Sequence, residues 1–300
     1  QRLAEEYNVS TKSISRDIND LKSFLADHRQ LVGNTELSYS SQGKCYRLHM
    51  DEFLTNKELF SMVEVMIGAR AFSKEELLTL TDKLKRFTTA EDRPKLNDLI
   101  RKELYHYSEV KHDCDSVMDT LWKLVNCISD KREVTIEYYR IDRVWRTHRI
   151  RPASLMFTDH YFYLIAFKTD DDPSKPFYFR VDRIKYITEH RKHFSTKEVG
   201  DFDEGLLRER SLFMWPGKLR KIRFEYSGTS VQAVLDKLPT AKIIERSGGK
   251  YTLEAEVYGD GIKMWILSQG SRIKVIAPLE FVRELKEEIL TMSNFYDDIE

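Results

Sequence analysis

The sequence predicts a multidomain α+β protein, and three observations lead to that fold class. Apolar residues recur at helical spacing through much of residues 1–130. Residues 131–195 instead contain short segments of alternating polar and apolar side chains, a pattern typical of a small β-barrel. Residues 196–300 contain the order β-α-β-β-α-β, which is typical of a ferredoxin-like α/β sandwich.

Length and composition indicate ordinary globular domains. The chain has 300 residues, 41% of them hydrophobic, and its 49 basic and 49 acidic side chains cancel. No apolar run reaches the roughly 20 residues of a membrane helix, and no secretory signal is visible. Cys45, Cys114 and Cys127 are isolated, so we expect a reducing compartment, the cytoplasm. Because Gln1 lies within what reads as a helix, we expect an N-terminal piece to precede it.

The first 50 residues predict two helices joined by a tight turn. Residues 3–7 read as the end of a short helix, and Ser10 or Thr11 can cap a second helix that runs to about Leu25. Residues 36–40 and 44–48 alternate as the strands of a hairpin. Together these elements predict a winged helix-turn-helix, with its second helix in the DNA major groove. We expect two wing residues to reach the sugar-phosphate backbone, namely Lys44 and Arg47.

This segment resembles the DeoR-like helix-turn-helix through Leu3-Ala4, Val9-Ser10, Ile14, Arg16-Asp17 and Leu21. The resemblance implies that the early exposed residues of the second helix contact DNA: Thr11, Lys12, Ser13 and Arg16. Residues 1–50 hold only 7 basic against 6 acidic side chains, so a single copy would bind weakly. We therefore expect a homodimer on palindromic operator DNA. The alternative is an amphipathic helix pair that binds no nucleic acid.

Residues 51–130 predict four helices. Thr55 and Ser73 each precede a Glu by three residues, which is the pattern of a capping box. A third helix follows Pro94, and a fourth runs from about Ser116 to Ser129. We expect this region to be a linker and part of a dimer interface, or alternatively a spacer within one monomer.

No motif points to an enzyme, a metal or a cofactor. HExxH, GxSxG, Rossmann and Walker signatures are absent, and Ser247-Gly248-Gly249-Lys250 reads as a hairpin turn. His112-Asp113-Cys114-Asp115 lacks the paired spacing of metal ligands and reads as a solvated loop. We expect no catalytic activity, no metal and no cofactor.

Arginines and tyrosines recur on the predicted strands of residues 131–195. Arg149 and Arg151 share one strand face, as do Tyr161 and Tyr163 on the next strand. Guanidinium groups match phosphate geometry and rings stack on bases, so this surface suits an anionic nucleotide-like ligand. Residues 131–192 also hold 14 basic against 9 acidic side chains. An ordinary charged, solvated surface is the alternative.

The order of these segments resembles the WYL domain, a small Sm-like β-barrel of bacterial transcription regulators. The resemblance is carried by Arg149-Ile150-Arg151-Pro152, by Phe162-Tyr163-Leu164, and by Phe179-Arg180-Val181-Asp182-Arg183-Ile184, with Phe162 in place of the usual Trp. It implies a ligand surface formed by Tyr138, Arg149, Tyr163, Arg180 and Arg183. A structural salt bridge is the alternative for each arginine. We expect Asp182 to orient an arginine, and Phe162 and Leu164 to pack in the core.

Met264-Trp265-Ile266-Leu267 with Gly270 resembles the C-terminal extension of the same regulators, which implies a role in dimerisation and communication. The sequence therefore predicts a ligand-responsive DNA-binding repressor that acts as a homodimer. Its expected effector is an anionic nucleotide or oligonucleotide. The alternative is a non-regulatory nucleic-acid-binding module that holds single strands through Tyr and Arg.

Overall fold

The computed structural model is a mixed α+β structure and describes residues 2–28, 35–50, 55–85, 87, 93–140, 142–172, 175–199 and 203–297. Gln1, which the sequence placed in a helix, lies outside the described residues. The chain divides into two compact units. One comprises residues 1–68 and 74–108, and the other comprises residues 69–73 and 109–300. The presence of several sheets beside helices confirms the predicted α+β class.

The first unit opens with helices α1 (Arg2–Glu6) and α2 (Thr11–Asp27). Ser10 caps α2, because its side-chain oxygen accepts a hydrogen bond from the Ser13 amide at 3.1 Å. Asn8 turns the chain between the two helices in the left-handed region, with φ at +52°. Both the turn and the cap agree with the sequence prediction.

A hairpin follows, with strands β1 (Thr35–Ser40) and β2 (Cys45–Met50) in antiparallel register. Lys44 was predicted to open the second strand, but it lies in the turn with φ at +50°. The strand therefore begins one residue later than the alternation of side chains suggested.

The first unit continues with α3 (Asn56–Ala69), α4 (Lys74–Lys85) and α5 (Arg93–Tyr105). The capping box predicted at the start of α3 is present. The carboxylate of Glu58 accepts hydrogen bonds from the amide and the hydroxyl of Thr55 at 2.7 and 2.8 Å. Apolar residues at helical spacing are buried in these helices: Leu59, Val63, Ile67, Leu77, Leu96, Ile100 and Leu104.

The second unit begins with α6 (Val117–Ser129) and five strands: β3 (Arg132–Tyr139), β4 (Trp145–Thr158), β5 (Tyr161–Lys168), β6 (Phe177–Arg180) and β7 (Ile184–His193). They form one antiparallel sheet in the order β6-β5-β4-β3-β7. The edge strands β6 and β7 are joined by only three residues, Val181–Arg183. Such a short connection requires the sheet to curl until its two edges approach each other.

The long strand β4 forms the bend of this sheet. Its first half pairs with β3 and its second half with β5, and the register shifts between Pro152 and Ser154. Proline has no amide hydrogen for the ladder, and bulges of this kind bend a strand.

The inner face of the curled sheet is the core. Val134, Ile136, Ile150 and Phe179 pack with Leu164 against α6. Leu164 is fully buried and Phe162 packs against the same cluster, as predicted for both residues.

The chain then crosses part of the outer face of the sheet through a 3-10 turn (Thr196–Val199) and α7 (Glu204–Arg210). Phe194 packs beside Phe167, and Leu207 contacts the cluster of Met156 and Ile165. The outer face of β4 and β5 is therefore partly covered by this connecting segment.

The C-terminal part contains β8 (Leu219–Tyr226), α8 (Val231–Lys237), β9 (Lys242–Ser247), β10 (Lys250–Tyr258), α9 (Gly261–Ser268), β11 (Ile273–Ala277) and α10 (Leu279–Asn294). The predicted element order β-α-β-β-α-β is present. Its four strands form an antiparallel sheet in the order β11-β8-β10-β9. Ile222, Phe224 and Phe281 are completely or almost completely buried in its core.

We predict that Leu164→Ala lowers the free energy of unfolding by about 2–5 kcal/mol, because it leaves a cavity in the core of the curled sheet. Urea unfolding followed by circular dichroism measures the change. Leu219→Ala is the control, since Leu219 is 53% exposed and its loss is expected to cost under about 1 kcal/mol. Equal effects of the two substitutions would contradict the assignment of Leu164 to the core.

Candidate functional site

The structure brings four of the five predicted ligand residues together near the Val181–Arg183 turn. Tyr163 and Arg180 are register partners on β5 and β6. The Arg180 amide donates to the Tyr138 hydroxyl at 3.3 Å, and the Arg183 side chain also interacts with that hydroxyl. These contacts connect the edge strand β6 and the turn to Tyr138 on β3, the strand next to the other edge strand β7.

Arg180 is engaged by a carboxylate of the protein itself. Its Nε and Nη2 atoms donate to the two oxygens of Asp182 at 3.0 and 2.6 Å, and Asp182 is buried. The guanidinium also lies 3.3 Å from the ring centroid of Tyr161. Asp182 thus orients an arginine, as expected, and the structural salt bridge considered for Arg180 is present.

The two tyrosines near this turn are neutral groups. Burial raises the pKa of Tyr138, and burial likewise raises the pKa of Tyr163. Tyr163 is partly buried and packs against the cluster that contains Leu207 and Met214 of the connecting segment. Its ring therefore packs against both the sheet and that segment.

Arg149 lies apart from these four residues. Two positions on β5 show the separation. Ile150, the neighbour of Arg149 on β4, pairs with Lys168 of β5, whereas Arg180 of β6 pairs with Tyr163 of β5. Five residues of an extended strand span roughly 17 Å, so Arg149 and Arg180 belong to separate clusters.

Arg149 belongs to a cluster of three cations around one buried carboxylate. Glu133 has no exposed surface, and its oxygens lie 2.9 Å from Arg149 Nη2, 3.4 Å from Arg151 Nε and 2.8 Å from Lys192 Nζ. The predicted shared face of Arg149 and Arg151 is thereby observed. Arg151 also contacts the carboxylate of Glu198 at 3.3 Å. Three cations face two carboxylates, so the cluster carries surplus positive charge.

The exposed parts of this cluster are available to an anion. The side chains of Arg149 and Lys192 are 48% and 54% exposed, whereas that of Arg151 is only 12% exposed. The contacts among the described residues engage Nε and Nη2 of Arg149 and leave its Nη1 atom without a protein partner. Arg149 and Lys192 can therefore donate outward while Glu133 fixes their position.

The charges around Glu133 determine its protonation. Burial alone would raise the pKa of this carboxyl, but the hydrogen bond from Lys192 and the charges of Lys192, Arg149 and Arg151 outweigh burial and lower the pKa. Glu133 therefore remains ionised at neutral pH and holds the three cations together.

Two exposed aromatic rings lie on the same outer face of the sheet. The register places Trp145 beside Tyr139, and it places Thr147 and Tyr186 on either side of Glu137. Trp145 and Tyr186 are 51% and 58% exposed. Strand spacing puts their backbones roughly 10–12 Å apart, with Trp145 roughly 13 Å from Arg149 along β4.

The residues that share this face with Arg149 are Trp145, Tyr186, Glu133 and Lys192. The other residues of the predicted ligand surface, among them Tyr138, Tyr163 and Arg180, lie near the Val181–Arg183 turn instead. Alternation along β4 could have revealed Trp145, because residues 145, 147, 149 and 151 share a face. Glu133 and Lys192 lie on other strands, and only the register of the sheet brings them to Arg149.

The predicted DNA-contacting residues lie at the surface of the first unit. Thr11, Lys12, Ser13 and Arg16 are exposed on α2. At 100° per residue, Lys12 and Arg16 point away from the side of Ile14 and Leu25. In the hairpin, Lys44 and Arg47 are exposed. The structure holds no nucleic acid, so their contacts stay a prediction.

The segment His112–Asp115 has a structural role in the second unit. The amides of Asp113 and Cys114 donate to the backbone oxygen of Asp182 at 3.0 and 2.8 Å, which ties this loop to the Val181–Arg183 turn. Within the described ranges, no group of three or more His, Cys, Asp or Glu side chains is arranged to hold a metal ion. No helix among those ranges has the length and apolar character needed to cross a membrane.

Comparison with protein families identifies two domains in this chain. Residues 119–189 match the WYL domain, and residues 220–293 match the WCX domain. The first match covers most of α6 and nearly all of the curled sheet, including Arg149 and Arg180, and it ends before Lys192. The second covers the four-stranded sheet and its helices. The chain therefore contains a WYL domain followed by a WCX domain.

Comparison with curated proteins gives no match. Among solved structures, the chain is similar to the proteasome accessory factor B/C (PafBC) of Arthrobacter aurescens, at 15% identity and a TM-score of 0.32. This likeness covers 99% of the chain but only 46% of PafBC. A second similar structure is a CRISPR Cas-related protein, at 14% identity and a TM-score of 0.41, covering 84% of this chain and 76% of that one.

We predict that Glu133→Gln lowers the free energy of unfolding by about 1–3 kcal/mol at pH 7, because three cations lose their shared carboxylate. The pKa of Glu133 is lowered in the folded state, so its contribution is complete above its unfolded pKa and is lost as pH falls through the folded pKa. Urea unfolding at several pH values should therefore show a smaller acid-induced loss in the variant. Glu189→Gln, which removes an exposed partner of Arg132, is the control and should cost under about 1 kcal/mol.

Proposed function

We propose that this chain is a DNA-binding transcription regulator whose WYL domain binds an anionic, nucleotide-like or oligonucleotide effector. The observation that carries the proposal is the outer face of β3, β4 and β7, where the three cations around Glu133 share one face with exposed rings. A WYL domain followed by a WCX domain is the arrangement that the sequence resemblance associates with such regulators. We propose no catalytic activity and no cofactor.

The finer fold assignments belong to this proposal. An Sm-like barrel is supported by the three-residue connection between the edge strands β6 and β7. A ferredoxin-like sandwich is supported by four antiparallel strands in the spatial order fourth, first, third and second. A DeoR-like winged helix-turn-helix is supported by α1, the turn at Asn8, the capped α2 and the hairpin.

Phosphate groups of the effector are assigned to Arg149 and Lys192, which have exposed donors and are fixed by Glu133. Bases are assigned to Trp145 and Tyr186, whose exposed rings offer stacking surfaces. Glu137 lies between these rings and repels phosphate there. The charges therefore orient a bound strand with its backbone toward Arg149.

Operator binding is assigned to α2 and the hairpin in the first unit. A pair of chains would double their few basic contacts and match a palindromic operator, which supports a homodimer. Effector binding changes operator affinity only if the effector binds two forms of the dimer with different affinity. We propose that the effector-free form of the dimer represses transcription.

We predict that Arg16→Ala weakens operator binding by about 10-fold to 100-fold, because a contact to phosphate or guanine is lost. Gel-shift titration against the DNA upstream of the chain's own coding region measures this effect. Lys22→Ala is the control, since Lys22 lies over the ring of Tyr46 on another side of the same helix. A larger loss in Lys22→Ala than in Arg16→Ala would refute the assignment of the DNA-contacting side.

We predict that Arg149→Ala leaves operator affinity within about threefold of the parent while weakening binding of a short single-stranded oligonucleotide by about 10-fold or more. Fluorescence anisotropy measures oligonucleotide binding, and gel shifts with added oligonucleotide measure the response. Arg146→Ala is the matched control, because Arg146 is exposed on the same strand but points to the other face. Loss of operator binding in Arg149→Ala without any oligonucleotide would contradict the proposal.

The open ring-and-cation face also supports the alternative of a non-regulatory nucleic-acid-binding module, since such a face can bind single strands by itself. The same gel shifts separate the two functions. Single strands that bind at Arg149 without altering operator affinity would favour the accessory module.

A further inference from the structure

The C-terminal helix α10 extends beyond the sheet that it covers. Phe281 and Leu285 are buried against the sheet, and the same stripe continues through Ile289 and Met292 at spacings of four and three residues. Sixteen helical residues span roughly 24 Å, whereas the five residues of β11 span roughly 17 Å. Ile289 and Met292, in the part of the helix farthest from Phe281, are 54% and 44% exposed.

A groove of about 660 Å³ lies between this overhanging stripe, the end of α9 and the edge strand β11. Its lining is mainly aliphatic, with side chains such as Ile266, Leu267, Val282 and Leu290. Gly270, which lines the groove, follows α9 with φ at +60°, a conformation that favours glycine at a helix end. Both the volume and the apolar lining are typical of sites for small molecules.

The polar part of the lining is cationic. Lys286 on α10 contributes to the groove with Ser271, and no Asp or Glu is among its described lining residues. Lys274 borders the groove on β11, but its side chain lies on the opposite face of the strand from the buried Ile273 and Val275. Neither lysine makes an ion pair with any residue in the part of the chain that the structure describes. A ligand that matches this groove has an apolar body and an anionic end.

We propose that this groove in the WCX domain binds an amphiphile with a single hydrocarbon chain and an anionic head group. The hydrocarbon chain packs along Leu285, Ile289 and Leu290, and the head group pairs with Lys286. The volume favours a small amphiphile over a peptide helix. The groove lies within the C-terminal part, so this inference is independent of the proposed effector face.

Isothermal titration of the full chain with sodium dodecanoate below its micelle concentration tests the proposal. We expect saturable binding of one molecule per chain. Decanoate should bind about 4-fold to 15-fold more weakly, because two fewer methylenes are buried. Dodecyltrimethylammonium, which has the same chain and a cationic head, should bind at least tenfold more weakly than dodecanoate.

Ile289→Asp should weaken dodecanoate binding at least tenfold. Ile244→Asp is the matched control, because Ile244 is also 54% exposed and lies on β9, outside the groove. Lys286→Gln should remove the preference for the anionic head, whereas Lys274→Gln, which changes a lysine on the other face of β11, should preserve it. Circular dichroism verifies that each variant is folded.

The proposal is wrong if dodecanoate does not bind, if the cationic amphiphile binds equally well, or if Ile244→Asp weakens binding as much as Ile289→Asp. It is also wrong if light scattering shows that Ile289→Asp dissociates a dimer while the parent does not bind dodecanoate. That result would assign the groove to a second copy of the chain.

Discussion

The curled sheet depends on the short connection through Asp182. This residue joins edge strands β6 and β7, and three of its interactions hold the closure together. Its carboxylate pairs with Arg180, and its backbone oxygen accepts hydrogen bonds from the amides of Asp113 and Cys114. A buried carboxylate without such partners would be costly, so Arg180 must stay close to it. The position of Arg180 beside Tyr161 and Tyr163 is therefore required by the fold.

This requirement separates two arginines that look equivalent in the sequence. Arg180 forms its ion pair with the buried carboxylate of Asp182, and its side chain is mostly buried. Its positive charge is therefore largely neutralised within the protein. Arg149 shares Glu133 with Arg151 and Lys192, and half of its side chain is exposed. The ratio of cations to carboxylates, together with exposure, distinguishes a structural arginine from one that can bind an anion. Neither property can be read from the motif alone.

The sequence predicted the elements better than the surface they form. Helical stripes, the capping box at Thr55 and the element order of the C-terminal part are local patterns, and the structure contains them. That Asp182 orients an arginine was also within reach of the sequence, because Arg180 lies only two residues away. Glu133 and Lys192 were missed because they meet Arg149 only through the register of β3 with β4 and β7. A pairing that depends on strand register has no linear signature.

The Glu133 cluster also connects the open face to the segment that leads into the WCX domain. Arg151 contacts Glu133 with one part of its guanidinium and Glu198 of the connecting segment with another. Because these contacts use different nitrogens, Arg151 bridges the two carboxylates. The cluster on the open face is thus tied by ion pairs to the connecting segment, which packs on Met156 and Ile165 through Leu207.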